Sequence, residues 1–266
     1  MNKYKLLQKK YGHVKKKVQK VQKVQKVQKV QKVQKVQKVQ KLKKKYVLLI
    51  LTCKKYEYKM KEQAEHFYSK GILNNIDFYY LIGDKEKFKN LKKDYLFDKK
   101  FIYTNTNDDY LSLPHKVIVG MKAAYENLKF DYLLKTDDDQ RFVGPLNFFE
   151  ILDKKINETS PDYLGFKITC KEHKTNNWMH HKEVPREYLV GDDIVWSNGR
   201  FYGLSKRNLQ YLLENKFDLI KKELLEDWAI AKYQKLEYRN NFLSIQTDKI
   251  FIDMEVYNGR KINMIF

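Results

Sequence analysis

The chain of 266 residues is long enough for one large domain or two small ones, and its 20 Tyr and 15 Phe supply the apolar bulk of a sizeable core. Only 4 Pro and 10 Gly exclude a collagenous or linker-rich protein. The formal charge of +21 points first to nucleic acid or an anionic surface, yet residues 1–45 hold 18 of the 54 basic side chains and none of the 33 acidic ones.

The remaining 36 basic and 33 acidic residues leave the body of the chain nearly neutral, unlike a folded nucleic-acid-binding domain. From Val18 to Lys41 the triplet Val-Gln-Lys repeats eight times. Three residues advance an ideal helix by about 300°, so successive valines drift by about 60° and no lasting apolar seam forms. A strand fares no better, because period 3 sends alternate valines to opposite faces. Residues 1–45 are therefore expected to be a disordered or transiently helical basic tail. The functional alternative is a polycationic arm for nucleic acid, anionic lipid or an acidic partner. Deleting residues 1–45 is expected to leave the melting temperature unchanged within a few degrees, measured by thermal denaturation. Strong heparin or DNA retention by a chain starting at Tyr46 would instead favour a nucleic-acid-binding body.

The body, residues 46–266, opens on "YVLLILTC" (46–53), a continuous apolar run of the kind that forms a strand covered on both faces. Its apolar core "VLLIL" is far shorter than the roughly 20 residues of a membrane helix or the about 7 of a signal h-region, so a soluble intracellular protein without a membrane anchor is expected. "EYKMKEQAEHFYS" (57–69) reads as a helix and "IDFYYLIGD" (76–84) as a second strand. "FIYTNTNDDY" (101–110) reads as a third strand, and "LPHKVIVGMKAAYENL" (113–128) as a helix with Val117, Val119, Met121, Ala124 and Leu128 at helical spacing. "FDYLLKTDDD" (130–139) follows as the next strand. Alternating strands and helices predict an α/β fold with a mostly parallel, Rossmann-like sheet. In such sheets ligands bind beyond the carboxyl ends of the strands, where Asp137, Asp138 and Asp139 fall. Asp-x-Asp at that place offers two hard oxygen ligands, suited to Mg²⁺ or Mn²⁺ shared with a diphosphate; the plainer reading is an exposed acidic turn. The two cysteines, Cys53 and Cys170, lack metal-ligand spacing and read as buried reduced thiols, with a single disulfide between them as the alternative.

"YLLKTDDDQRFV" (132–143) resembles the β-1,3-galactosyltransferase and Fringe-like glycosyltransferases (family 31), in which an apolar strand ends in Lys-Thr-Asp-Asp-Asp before an apolar pair. Upstream, "DDYLSLPHKVIVGMKAAYE" is similar to the family's Asp-x-Tyr, Leu, Lys and Gly-bearing helix. Downstream, "WSNGRFYGLSKRNLQYL" (196–212) matches a Ser-Gly-Gly-type loop followed by Tyr-x-Leu-Ser at Ser197, Gly199, Tyr202, Leu204 and Ser205. "LLEDWAIAKY" supplies Glu226-Asp227-Trp228 where the family has Glu-Asp-Val.

The resemblance implies a GT-A-like fold and inverting, metal-dependent transfer of a hexose or N-acetylhexosamine from a UDP-sugar to a hydroxyl of a glycan or glycoprotein. Asp137 and Asp139 would hold Mn²⁺ or Mg²⁺, Asp139 directly and Asp137 facing the donor. Asp138 would tune the site or bind a donor hydroxyl, Ser197 and Gly199 would shape the donor pocket, and Asp227 would be the catalytic base. Four departures stand out. No histidine follows His181, so the family's metal-binding histidine is missing or replaced, with Asp248 and Asp253 as substitutes. "YKMKEQAEHFY" offers only Lys59 and Lys61 in place of an arginine-rich donor segment. Asn198 and Arg200 stand where small residues are usual, and the family's membrane anchor is not visible. His180-His181 reads as part of a polar loop or as a metal or sugar contact, and Trp178, Tyr188 and Trp196 as a sugar platform or ordinary packing. Two rival functions remain: a basic-arm nucleic-acid-binding protein, and an inactive sugar-binding relative of the family.

Overall fold

A computed structural model describes residues 45–71, 76–169, 171–175, 182–191 and 194–255. The basic tail, Cys170, Trp178 and the His180-His181 pair lie outside the described residues. The first strand, β1 (Tyr46–Leu51), is buried along its whole length. Val47, Leu49 and Leu51 pack into one apolar cluster, while Tyr46, Leu48 and Ile50 pack into another on the opposite face. An uninterrupted apolar run is the pattern such a doubly covered strand requires.

The chain continues through α1 (Glu57–Ser69), β2 (Asp77–Gly83), β3 (Tyr95–Asp98), β4 (Phe101–Thr104), α2 (Leu113–Asn127), β5 (Tyr132–Asp137) and β6 (Gln140–Phe142). Then come α3 (Phe148–Thr159), β7 (Tyr163–Thr169), the short strands β8 (His173–Lys174) and β9 (Leu189–Val190), and the long β10 (Val195–Ser205). Four helices, α4 (Lys206–Asn215), α5 (Phe217–Ile220), α6 (Glu226–Lys232) and α7 (Leu236–Asn240), precede β11 (Phe242–Ser244) and β12 (Phe251–Asp253).

Eight of these strands form one sheet in the order β11-β7-β10-β5-β1-β2-β4-β3. The centre is parallel, β4-β2-β1-β5, and β10 joins antiparallel on the far side of β5. The chain runs from β1 outward to β2 and β4, then returns through α2 to β5 on the other side of β1. That reversal makes the carboxyl ends of β1 and β5 the switch point of the sheet, where a crevice opens. The predicted α/β sheet is present, with two corrections. The third strand ends at Thr104, so Asp108–Tyr110 lie in the loop before α2, and β3 adds an antiparallel edge strand. The predicted apolar face of α2 is wider than its helical spacing suggested. Ile118 and Ala123 are buried with Val117 and Met121, and Gly120 sits so close to β2 that a Cβ would come within 2.4 Å of Leu81 Cδ1.

Asp162 joins β7, α4 and the approach to β11. Its carboxylate, almost wholly buried, accepts from Ser205 Oγ at 2.6 Å, Arg207 Nε and Nη2 at 2.5 Å, and Asn241 Nδ2 at 2.9 Å. Burial by itself would raise its pKa, but the bonds from Arg207, Ser205 and Asn241 outweigh that and hold it below the ordinary carboxylate value. A depressed folded-state pKa contributes stability above the unfolded value of about 3.9, lost as pH falls through the folded one. Asp162→Asn is therefore expected to destabilise the fold by about 2–3 kcal/mol at neutral pH, discounted for the exposed Arg207 head. Chemical denaturation checks it: the difference from the parental chain shrinks in acid, where Asp162 itself is protonated.

Candidate active site

The three adjacent aspartates leave β5 in a turn pinned from below by buried groups. Gln63 of α1 donates through Nε2 to the carbonyls of Asp137 at 2.5 Å and Gln140 at 3.0 Å, and the Asp138 N–H donates to Leu51 O at 3.0 Å. Each carboxylate then has its own partner. Lys135 Nζ lies 2.6 Å from Asp137 Oδ1, Thr52 Oγ1 donates to Asp138 Oδ2 at 2.6 Å, and Gln140 Nε2 donates to Asp139 Oδ1 at 2.9 Å. Asp138 is buried, whereas Asp137 and Asp139 are half-open. Burial pushes both Asp137 and Asp138 up to about 6, with the neighbouring charge of Asp139 adding to the rise against Lys135 and Thr52. This is no solvated acidic turn.

Lys135 joins that turn to the other matched segments. Its side chain is 3% exposed, its ammonium donates to Gly199 O at 2.7 Å, and it pairs with Glu226 Oε2 at 3.2 Å. Burial pulls the lysine pKa down, but Asp137 and Glu226 outweigh it and hold the ammonium above the ordinary value. Glu226 and Asp227 form the first turn of α6. Glu226 accepts from the buried Tyr202 hydroxyl. Asp227 Oδ1 accepts from the Trp228 N–H at 2.8 Å. A Cβ built on Gly199 would stand 3.4 Å from Lys135 Nζ, 3.6 Å from Glu226 Oε2 and 3.8 Å from Asp227 Oδ2, so the glycine lies directly against the carboxylates. Burial raises the Asp227 pKa; the Trp228 and Gly199 backbone groups and Lys135 oppose the rise, and Asp137 adds to it.

The structure thus brings Asp137, Gly199 and Asp227 to one place and leaves Ser197 apart. Ser197 is fully buried where β10 breaks register against β7, between Ser197 and Tyr202. Its hydroxyl donates to the Asn198 and Phe201 carbonyls, both at 3.3 Å, and its Oγ fills the space that a Cβ on Gly165 (φ +150°) would enter at 2.0 Å. The expected glycine loop is this irregularity in a long strand. Trp196 is likewise core: its ring meets Trp228 edge-on at 5.4 Å beneath α6. Tyr188 packs against the same core and donates to Glu223, so neither ring is a free sugar platform.

Arg200, the unusual residue after Gly199, donates to both oxygens of Asp253 at 3.2 Å and to Phe251 O at 3.0 Å. It fixes β12 against β6, where Asp253 lies opposite Gln140 in an antiparallel pair. Gln140 Nε2 bonds Asp253 Oδ1 at 2.8 Å as well as Asp139, so one amide joins the two carboxylates. Asp248 sits in the turn Thr247–Lys249 before β12. Among the described residues no three His, Cys, Asp or Glu side chains converge closely enough to hold a metal ion by themselves. Crowded carboxylates with raised pKa values nonetheless fit a hard divalent cation that takes one or two protein oxygens and completes its shell from phosphate.

Two residues in matched segments carry more than the sequence assigned them. Tyr110, in the loop after β4, is half-buried with its phenol pushed up to about 12 by burial, then by Asp227, Glu226 and Asp137, which places it beside the cluster. Asp108 accepts from buried Lys116 Nζ at 2.9 Å, the Gly83 N–H at 3.2 Å and the Lys54 N–H at 2.8 Å, so it clamps the ends of β1 and β2 to α2. Next to the aspartates, at the carboxyl ends of β1, β2 and β4, lies a cleft of about 490 Å³ lined by residues including Thr52, Cys53, Lys54, Asp84, Lys87 and Tyr103. Cys53 is a free, half-buried thiol. No helix among the described residues is long and apolar enough to cross a membrane.

"Probable beta-1,3-galactosyltransferase 12" of Arabidopsis thaliana is 34% identical over 65 residues, 23% of this chain, and the match spans only 18% of that protein's length. Among solved structures, a glycosyltransferase involved in glycosylation of the major capsid of PBCV-1 aligns over 79% of this chain and 94% of its own, with TM-score 0.45 and 11% identity. The galactosyltransferase LgtC, in complex with donor and acceptor sugar analogs, aligns over 76% of this chain and 73% of its own, with TM-score 0.44 and 11% identity. The galactosyltransferase family model matches residues 58–238, which contain the Asp137–Asp139 turn, the Gly199 bulge and Asp227. The chain belongs to the galactosyltransferase family, and its sheet is the mostly parallel, GT-A-like one that membership implies.

Proposed function

We propose that the chain is an inverting, metal-dependent glycosyltransferase that moves a hexose or N-acetylhexosamine from a UDP-sugar to a hydroxyl of a glycan or glycoprotein. The observation that carries this reading is the meeting of Asp137 and Asp227, ninety residues apart, around the buried ammonium of Lys135 at the crevice of the sheet. An acidic turn without function needs no such partner.

In this reading the cleft beside Thr52 takes the nucleotide, with Lys87 on its wall to meet the donor's negative charge and Lys54 paired with Asp84. Asp139 and Asp137 would hold Mn²⁺ or Mg²⁺, with Asp253 within reach of Asp139 through Gln140 in place of the absent histidine. The cation would neutralise charge developing on the diphosphate. Asp138, tied to Thr52 at the edge of the cleft, would meet a donor hydroxyl. Gly199 keeps the floor of the site free of a side chain, and Ser197 supports that bend from the interior. Asp227 accepts the proton of the attacking acceptor hydroxyl; its raised pKa makes it a stronger base than an ordinary aspartate. The experiment is a screen of nucleotide sugars for thermal stabilisation of the full chain with Mn²⁺ and with chelator. Stabilisation by UDP-sugars with Mn²⁺ alone is expected; none from any nucleotide sugar would overturn the reading.

A further inference from the structure

We propose that Lys135 is a positioning residue for this reaction: its buried ammonium holds the donor-side Asp137, the Gly199 bend and the first turn of α6 in register, and so sets where Asp227 stands. The inference rests on the functional reading above.

Lys135 has three partners on three separate segments: Asp137 Oδ1 at 2.6 Å, Gly199 O at 2.7 Å and Glu226 Oε2 at 3.2 Å. The first lies at the end of β5, the second in the register break of β10 and the third at the start of α6. Two of these contacts adjoin the groups that would do the chemistry. Asp137 keeps 30% of its side chain exposed at the crevice, and Asp227 follows Glu226 directly in the helix. Glu226 is locked from its other side by the fully buried Tyr202, so the pair Lys135–Glu226 cannot swing without moving the turn that carries Asp227. Neither Lys135 nor Glu226 reaches the open crevice, since their side chains are 3% and 6% exposed. They act through Asp227 and Asp137.

The test separates position from stability. Lys135→Met alone strands buried carboxylates and can fail to fold. Lys135→Met combined with Glu226→Gln removes one positive and one negative charge together, so the net charge of the cluster is unchanged and the carboxylate left without its partner, Asp137, is the one that keeps 30% of its side chain exposed. Three quantities are measured on the full chain: the melting temperature, UDP binding with Mn²⁺, and UDP release from UDP-galactose and the other UDP-hexoses. A positioning role predicts that the double variant folds and still binds UDP with Mn²⁺, since Asp139 is the direct ligand, while kcat falls about 10²-fold, the scale of a misplacement near 1 Å. Parental kcat in the folded double variant would overturn the proposal. Should the double variant not fold, Lys135→Arg keeps the charge on a longer, forked head. A fall in kcat of about tenfold or more with UDP binding retained then supports positioning, and unchanged kcat refutes it. A parental chain that releases no UDP from any donor would instead show the functional reading itself to be wrong, and this inference would fall with it.

Discussion

Asp227→Asn is expected to lower sugar transfer by about 10²-fold or more, the usual scale for losing a general base. An inverting transfer needs a base within hydrogen-bond reach of the attacking hydroxyl, and proton transfer can lag behind departure of the diphosphate, so a carboxylate suffices. Asp227 adjoins the Gly199 backbone and the carboxylates of the crevice, yet it is not fully enclosed. The competing explanation is that it merely favours the start of α6, since an acidic group at a helix N-terminus is stabilised by the helix dipole. The Trp228 N–H that Asp227 accepts is consistent with that. Asparagine keeps the size and most of the capping ability, so the capping explanation predicts near-parental turnover. The catalytic one predicts lost transfer with the melting temperature and metal-dependent donor binding retained. Rate assays and calorimetry on the same variant separate the two.

The second large effect concerns the cation. Donor binding is expected to need Mn²⁺ or Mg²⁺, and Asp139→Asn is expected to weaken it by at least about 10²-fold, beyond the 10–100-fold typical of losing an outer-shell partner. Asparagine still accepts the Gln140 amide at Asp139's position, so the turn, pinned by Gln63 and by the Asp138–Leu51 backbone bond, stays in place. What is lost is one anionic oxygen ligand. Full UDP-sugar affinity in excess chelator, measured by calorimetry, would refute the metal assignment.

The central strands and both early helices were legible because their signal is local. β1 is apolar throughout, α1 spans the residues its pattern gave, and β5 ends where the aspartates begin. β3 was not, since four residues between lysines and aspartates have too little alternation to mark an edge strand. The register break in β10 read as a loop because Ser-Asn-Gly-Arg has loop composition; only pairing with β5 and β7 makes it part of a strand of 11 residues. The site divides in the same way. Asp137, Asp139 and Asp227 stood out through motifs. Lys135 stood inside the same Lys-Thr-Asp-Asp-Asp motif but without a role, because a lysine inside an apolar strand acquires its meaning from Gly199 and Glu226, which the fold alone brings to it. Arg200 looked like a departure in the pocket and is instead the anchor of Asp253 and β12, a contact between segments some fifty residues apart. Ser197 and Trp196 matched a motif or a composition, yet their side chains turn inward.

The most direct test of the assigned activity follows UDP release and the transferred sugar together. The full chain is incubated with UDP-hexoses or UDP-N-acetylhexosamines, Mn²⁺ and glycan acceptors, and the product's anomeric configuration is read by NMR. The expected result is Mn²⁺-dependent UDP release with the sugar joined to an acceptor hydroxyl in the configuration opposite to that of the donor. Transfer with retained configuration, or transfer undiminished in excess chelator, would contradict it.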